Sequence, residues 1–227
     1  MTGLPAALAL ALAFILPGPV LLRQVGQRRA EALPPSFSIQ GVFVLIGADA
    51  RSFAQERGLP LEGAKLDRLV LDATLSLSGG RCELELSHAG RPLGSVAEKG
   101  AETTSSGAVP PAALSLASEG CAPFVYHGVE AETQLSRLLV RLGGDPANVS
   151  LTRFDGRVAY AIGGEATALT VSQRRLLPLR LIGGPGREEL RFREYRAILL
   201  GGAFPGRLEL WRGGEEAAEL EARLVAR

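Results

Sequence analysis

The chain has 227 residues, 25 Lys and Arg against 24 Asp and Glu, a formal charge of +1 and 46% hydrophobic residues. That length and apolar content suit one domain with a real core. Lys occurs only as Lys65 and Lys99, acidic residues interleave with the arginines, and no basic patch carries aromatics, which excludes nucleic acid as an expected partner.

Residues 4–22 form an uncharged apolar stretch interrupted by Pro17-Gly18-Pro19. Its unbroken part, 6–16, has the length of a signal-peptide core and is short for a membrane span. Arg23, Arg28 and Arg29 follow this run, and a small-x-small site, Ala30-Glu31-Ala32, lies further on. Residues 1–32 are therefore expected to be a signal peptide or an N-terminal membrane anchor, and 33–227 a single β domain. Either way the protein is expected to be periplasmic, exported by the N-terminal signal or tethered to the membrane by it.

Residues 24–36 read as a linker that ends in Pro34-Pro35. A strand is expected over 37–46 and a short helix over 48–58, with Asp49 near its N-cap. The next segment can be registered residue by residue. Leu71, Ala73, Leu75 and Leu77 alternate with polar residues, Gly79-Gly80 follows, and Cys82, Leu84 and Leu86 alternate with Glu83, Glu85 and Ser87. A two-residue Gly-Gly loop sets Leu77 opposite Cys82, Leu75 opposite Leu84 and Ala73 opposite Leu86. All apolar residues then share one face, so the sheet is one-sided and something must cover that face.

Strands are expected over 92–97, 109–117 and 121–126, and an exposed loop over 99–107. Residues 130–142 are the best helix. Ala131, Leu135, Leu138, Leu139 and Leu142 form one stripe, and Gly143-Gly144 ends it. This helix is the natural cover for the sheet. Strands follow over 149–162, broken by a turn at Asp155-Gly156, and over 168–173, 176–182, 188–196, 205–212 and 216–225. In the last hairpin a three-residue loop, 213–215, sets Leu210 against Ala218, Leu208 against Leu220, Arg207 against Glu221 and Arg212 against Glu216. The total is roughly ten antiparallel strands in meander order with one or two helices, a mainly β fold with α.

Chemistry-bearing residues are few. His88 and His127 have no metal-spaced partner, and the nucleophile-elbow, phosphate-loop and zincin motifs are absent from the sequence. Asn148-Val149-Ser150 matches a glycosylation sequon. No catalytic residue, metal or cofactor is expected, and the protein is read as a non-enzyme. Cys82 and Cys121 are read as a disulfide that closes a loop of roughly 40 residues, worth about 4 kcal/mol in the chain-entropy picture. A bridge suits an oxidising periplasm, and two buried free thiols are the alternative. A curved sheet under a helix can enclose a cavity. Its lining would be Leu71, Leu75, Leu84, Leu86, Leu138, Leu142, Leu179, Leu181, Leu190 and Phe192. The alternative is that these residues pack on one another as a dry core.

The C-terminal third adds a resemblance. After Asp145-Pro146 come the run Leu151-Thr152-Arg153-Phe154-Asp155-Gly156, then Arg174-Arg175-Leu176-Leu177-Pro178-Leu179-Arg180-Leu181, then Leu190-Arg191-Phe192-Arg193-Glu194-Tyr195 and Phe204-Pro205-Gly206-Arg207. This order resembles the outer-membrane lipoprotein-sorting (LolA/LolB-like) superfamily. Arg175, Pro178, Arg180, Tyr195, Phe204 and Pro205 occupy the places of that family's pattern. The resemblance implies a divergent member with a curved antiparallel half-barrel sheet covered by one or two helices. It implies a hydrophobic cavity for lipid or lipoprotein acyl chains, so the expected partner is a lipid or acylated lipoprotein. An envelope protein docking on a domain with a dry core is the competing partner.

Overall fold

The computed structural model describes residues 16–62, 67–100, 102–184, 186–197 and 203–226. The first element is helix α1 (Gly18–Ala32), followed by strand β1 (Ser36–Ile46), helix α2 (Gly47–Arg57), β2 (Arg68–Ser78), β3 (Arg81–His88), β4 (Arg91–Lys99) and β5 (Glu102–Gly107). A helical insert comes next: α3 (Pro111–Ser115), a π-helical turn (Leu116–Gly120), α4 (Ala122–Val125) and α5 (Gly128–Arg141). The chain then returns to strands: β6 (Asp145–Phe154), β7 (Arg157–Gly163), β8 (Ala168–Ser172), β9 (Pro178–Gly183), β10 (Glu188–Ala197), β11 (Ala203–Arg212) and β12 (Glu215–Ala226).

These strands form one twelve-stranded antiparallel sheet in the order β5-β4-β3-β2-β1-β12-β11-β10-β9-β8-β7-β6. The N-terminal meander runs outward from β1 and the C-terminal meander runs inward to β12, and the two are joined where β1 pairs with β12. The sheet does not close, so β5 and β6 are its edges and the molecule is a curved half-barrel with helices. Gly41 enables the central joint. A side-chain carbon there would lie 2.0 Å from the Glu221 carbonyl oxygen, at the point where the β1–β12 register shifts.

The hairpin β2–β3 has the expected register, with Leu77 opposite Cys82, Leu75 opposite Leu84 and Ala73 opposite Leu86. In β11–β12, Leu210 faces Ala218, Leu208 faces Leu220 and Arg207 faces Glu221, as expected. The turn is shorter than expected, because Arg212 pairs with Glu215 and a bulge between Leu210 and Trp211 absorbs the extra residue. The bulge keeps the apolar faces aligned while a two-residue Gly-Gly turn closes the hairpin.

Three expectations are corrected. Residues 24–36 are not a linker: α1 packs into the core through Leu21, Leu22 and Val25. A side chain at Gly26 would come within 2.2 Å of the Ala131 side chain, so α1 and α5 are in close contact there. Residues 18–32 are helical and their buried side chains join the core cluster. The rest of the expected signal, residues 1–15, lies outside the described residues. Secondly, 109–117 and 121–126 are helical rather than extended. Short apolar runs fit either state. Here Ala-rich composition and prolines in the first turns of α3 and α4 favour helix. Thirdly, the expected loop at 99–107 contains edge strand β5, whose six residues are all exposed. The Ser95 and Ser106 hydroxyls lie 3.0 Å apart across it.

Candidate functional site

The concave face of the half-barrel is where the sequence placed a cavity. Alternation along β2, β3, β9 and β10 brings Leu71, Leu75, Leu84, Leu86, Leu181, Leu190 and Phe192 to that face, and all are buried. Leu138 and Leu142 meet them from α5 and its C-cap, also buried. Leu179 stands apart. It is the extra residue of a register shift between β8 and β9 and is half-buried. The nine buried residues belong to one continuous apolar cluster with α1 and the insert. Its centre is aromatic. The Phe124 ring of α4 lies 5.4 Å from Phe192 and 4.9 Å from Phe204, and Phe204 lies 5.7 Å from Phe37.

A disulfide between Cys82 on β3 and Cys121, just before α4, fastens the insert to the concave face. Their Cα atoms are 6.3 Å apart, within the usual span for such a bond. No helix among the described residues is long and apolar enough to cross a membrane.

Openings lead into this layer from the surface. One is a narrow cleft of about 20 Å³ between α1, α4 and the start of β9. Val25, Leu33, Phe124, Leu177 and Pro178 line it together with Arg29. Arg29 is buried, and its guanidinium donates to the carbonyls of Phe124 (2.5 Å), Leu33 (3.3 Å) and Pro34 (3.0 Å). Burial pushes it down to about 10, so it remains cationic at neutral pH. Of the residues that carry the sequence resemblance, Pro178 lines this cleft. The Tyr195 hydroxyl donates to the Pro178 carbonyl at 2.5 Å. Tyr195 pairs with Pro205 across β10–β11, and Arg180 lies over the Phe154 ring. Arg175 is exposed in the preceding turn.

The second opening is a polar cavity of about 170 Å³ between the end of β4, α4 and α5. Glu98, Tyr126, Gln134, Arg137 and Arg141 line it, with Ala122 and Leu138 as its apolar floor. Glu98 pairs with Cys82 across β3–β4, so it points to the concave side and is only 5% exposed. One of its oxygens lies 4.0 Å from the Arg141 guanidinium. The other is buried and has no hydrogen-bond partner among the described residues. The Tyr126 hydroxyl donates to the Gly100 carbonyl at 3.3 Å. Sequence reasoning missed this site. The available signal was period-two alternation, since Glu98 follows inward-facing Val96 by two residues.

Burial pushes the Glu98 carboxyl up to about 7. Arg141 opposes that shift and Glu119 adds to it. Burial also raises Glu219 to about 7, against the pull of Arg207. Unfolded glutamates titrate near the ordinary 4.5. Between those values the folded chain binds more protons than the unfolded one, so stability falls as pH rises and levels off above about 7. Thermal melts should therefore show a lower midpoint near pH 8 than near pH 5. Glu98→Gln should raise stability near pH 8 by up to about 3 kcal/mol and change it little near pH 5. An equal effect at both pH values would rule out a titrating Glu98.

The fold and its openings define a class: an open antiparallel half-barrel whose apolar concave face is covered by helices. No protein-family model matches the chain, and no curated protein does. Among solved structures, the chain is similar to a domain described as outer-membrane lipoprotein-sorting from Vibrio parahaemolyticus. The identity is 11%, the match covers 92% of this chain and 91% of that one, and the TM-score is 0.49. It is also similar to a DUF1329 family protein from Desulfovibrio piger, at 11% identity, with 92% and 91% covered and a TM-score of 0.47.

Proposed function

We propose that the protein binds lipid or lipoprotein acyl chains on the concave face of the half-barrel, in the periplasm and without catalysing a reaction. It would act there as a carrier or sensor of outer-membrane lipoproteins. The observation that carries this reading is the way the face is covered. A continuous apolar surface from β2, β3, β9, β10 and β11 is closed by separate helices, α1 and the insert, rather than by a second sheet. Helices can move off a sheet as units, and each methylene that takes their place leaves water for a gain of about 0.8 kcal/mol. The cleft beside Phe124 is the seam where such a chain would enter. Arg28, exposed at its rim, would meet an anionic head. The Cys82–Cys121 bond supports an oxidising compartment and would keep the displaced insert attached.

Native mass spectrometry of the full chain, delipidated and then offered palmitate or a dipalmitoylated peptide, tests this. One bound acyl ligand per chain is expected, with more uptake by Phe124→Ala, which loosens the seam. No uptake by either protein overturns the reading. A second reading then takes over, in which the domain is an envelope protein-interaction module. Its support is the dense packing of Leu71, Leu75, Leu84, Leu86 and Phe192 in the closed state.

A further inference from the structure

The cavity beside α5 carries charged and polar groups that an acyl chain would not use, above a floor of Ala122 and Leu138 shared with the apolar cluster. Its donor and acceptor groups fall into two halves. On the inner side Glu98 lines the cavity with a carboxylate that is 5% exposed, and its buried oxygen has no hydrogen-bond partner among the described residues. Glu119 is close enough to add like charge to it. A buried carboxylate in that state is costly unless a cationic donor meets it. On the outer side Arg137 is exposed at the mouth and Arg141 is shared at 4.0 Å with Glu98, while Gln134 offers an amide. Two guanidiniums at one rim fit an anion such as phosphate or carboxylate. The volume, about 170 Å³, equals the space of about five or six waters at ~30 Å³ each. It suits a short molecule with a charge at each end.

We propose that this cavity binds a small zwitterion in which a primary ammonium is joined by a short linker to an anionic group, the ammonium on Glu98 and the anion on Arg137 and Arg141. Phosphoethanolamine carries this chemistry, either free or as the head group of phosphatidylethanolamine. The site goes beyond acyl-chain binding and does not depend on it, because its walls come from β4, α4 and α5 in the closed state. A quaternary ammonium has no N–H to give Glu98, so phosphocholine is the discriminating relative.

Calorimetric titration of the full chain with phosphoethanolamine, with phosphocholine and with phosphatidylethanolamine vesicles tests the proposal. Saturable binding of phosphoethanolamine is expected, about tenfold or more tighter than phosphocholine. Glu98→Gln keeps the side-chain volume and should lose about tenfold or more in affinity. Arg137→Ala, a change at an exposed position, should weaken binding independently. Binding to free phosphoethanolamine assigns a soluble ligand. Binding only to phosphatidylethanolamine vesicles, lost in Glu98→Gln, assigns a lipid head group. No binding in either arm overturns the proposal, as does equal binding of phosphocholine or an unchanged Glu98→Gln. Failure of palmitate uptake with phosphoethanolamine binding intact would count against the acyl-chain reading alone.

Discussion

Leu22→Asp should leave a chain that no longer unfolds as a single cooperative unit. Leu22 and its neighbour Leu21 are fully buried between the sheet and the insert, and Val25 follows one turn later. A carboxylate buried at that position costs several kcal/mol for leaving water. That is comparable to the whole stability of a typical domain, about 5–15 kcal/mol. Val20→Asp on the same helix is the control, because Val20 is 39% exposed, and it should change stability by less than about 0.5 kcal/mol. Urea unfolding followed by circular dichroism separates the two. Cooperative, near-normal unfolding of Leu22→Asp would mean that α1 is not part of the core. Processing after Ala32 would remove Leu21, Leu22 and Val25, together with the Arg23–Glu132 ion pair at 2.6 Å.

Replacing Cys82 and Cys121 together by Ser should cost about 4 kcal/mol, the chain-entropy value for a loop of this length. The two residues are 39 positions apart. The bond joins the start of β3 to the insert, so the unfolded chain gains freedom over β3, β4, β5 and α3 at once. Denaturation of oxidised wild type, reduced wild type and the double variant measures this. Reduced wild type and the double variant should coincide, both below the oxidised form. Equal stability of all three would exclude the bond from the folded protein. Greater acyl uptake on reduction would link the staple to movement of the insert.

The C-terminal meander and the β2–β3 hairpin were legible because their information is local. Alternation at Leu71, Ala73, Leu75 and Leu77, with glycines at 79 and 80, leaves one register that keeps the apolar face whole. The stripe on α5 was legible for the same reason at a period of 3.6. α1 was not legible, because Gln24, Gln27, Arg28 and Arg29 look like an exposed linker. Only the approach of Ala131 to Gly26 and the carbonyls around Arg29 show that the segment is packed, while Gln27 and Arg28 stay exposed. Residues 109–126 failed differently. Their short apolar runs fit either strand or helix, and the need to cover a concave surface decided for helix.

By itself, then, the sequence determined a mainly antiparallel sheet with one apolar face and a covering helix. Each of these follows from side-chain period or turn chemistry within a few residues. The tertiary structure decided how that face is covered, with α1 and the insert packed into it and a staple at Cys82–Cys121. It also decided that Glu98 lies buried beside Arg141 instead of in solvent. These outcomes depend on contacts between segments distant in the chain, where burial and desolvation outweigh local preference.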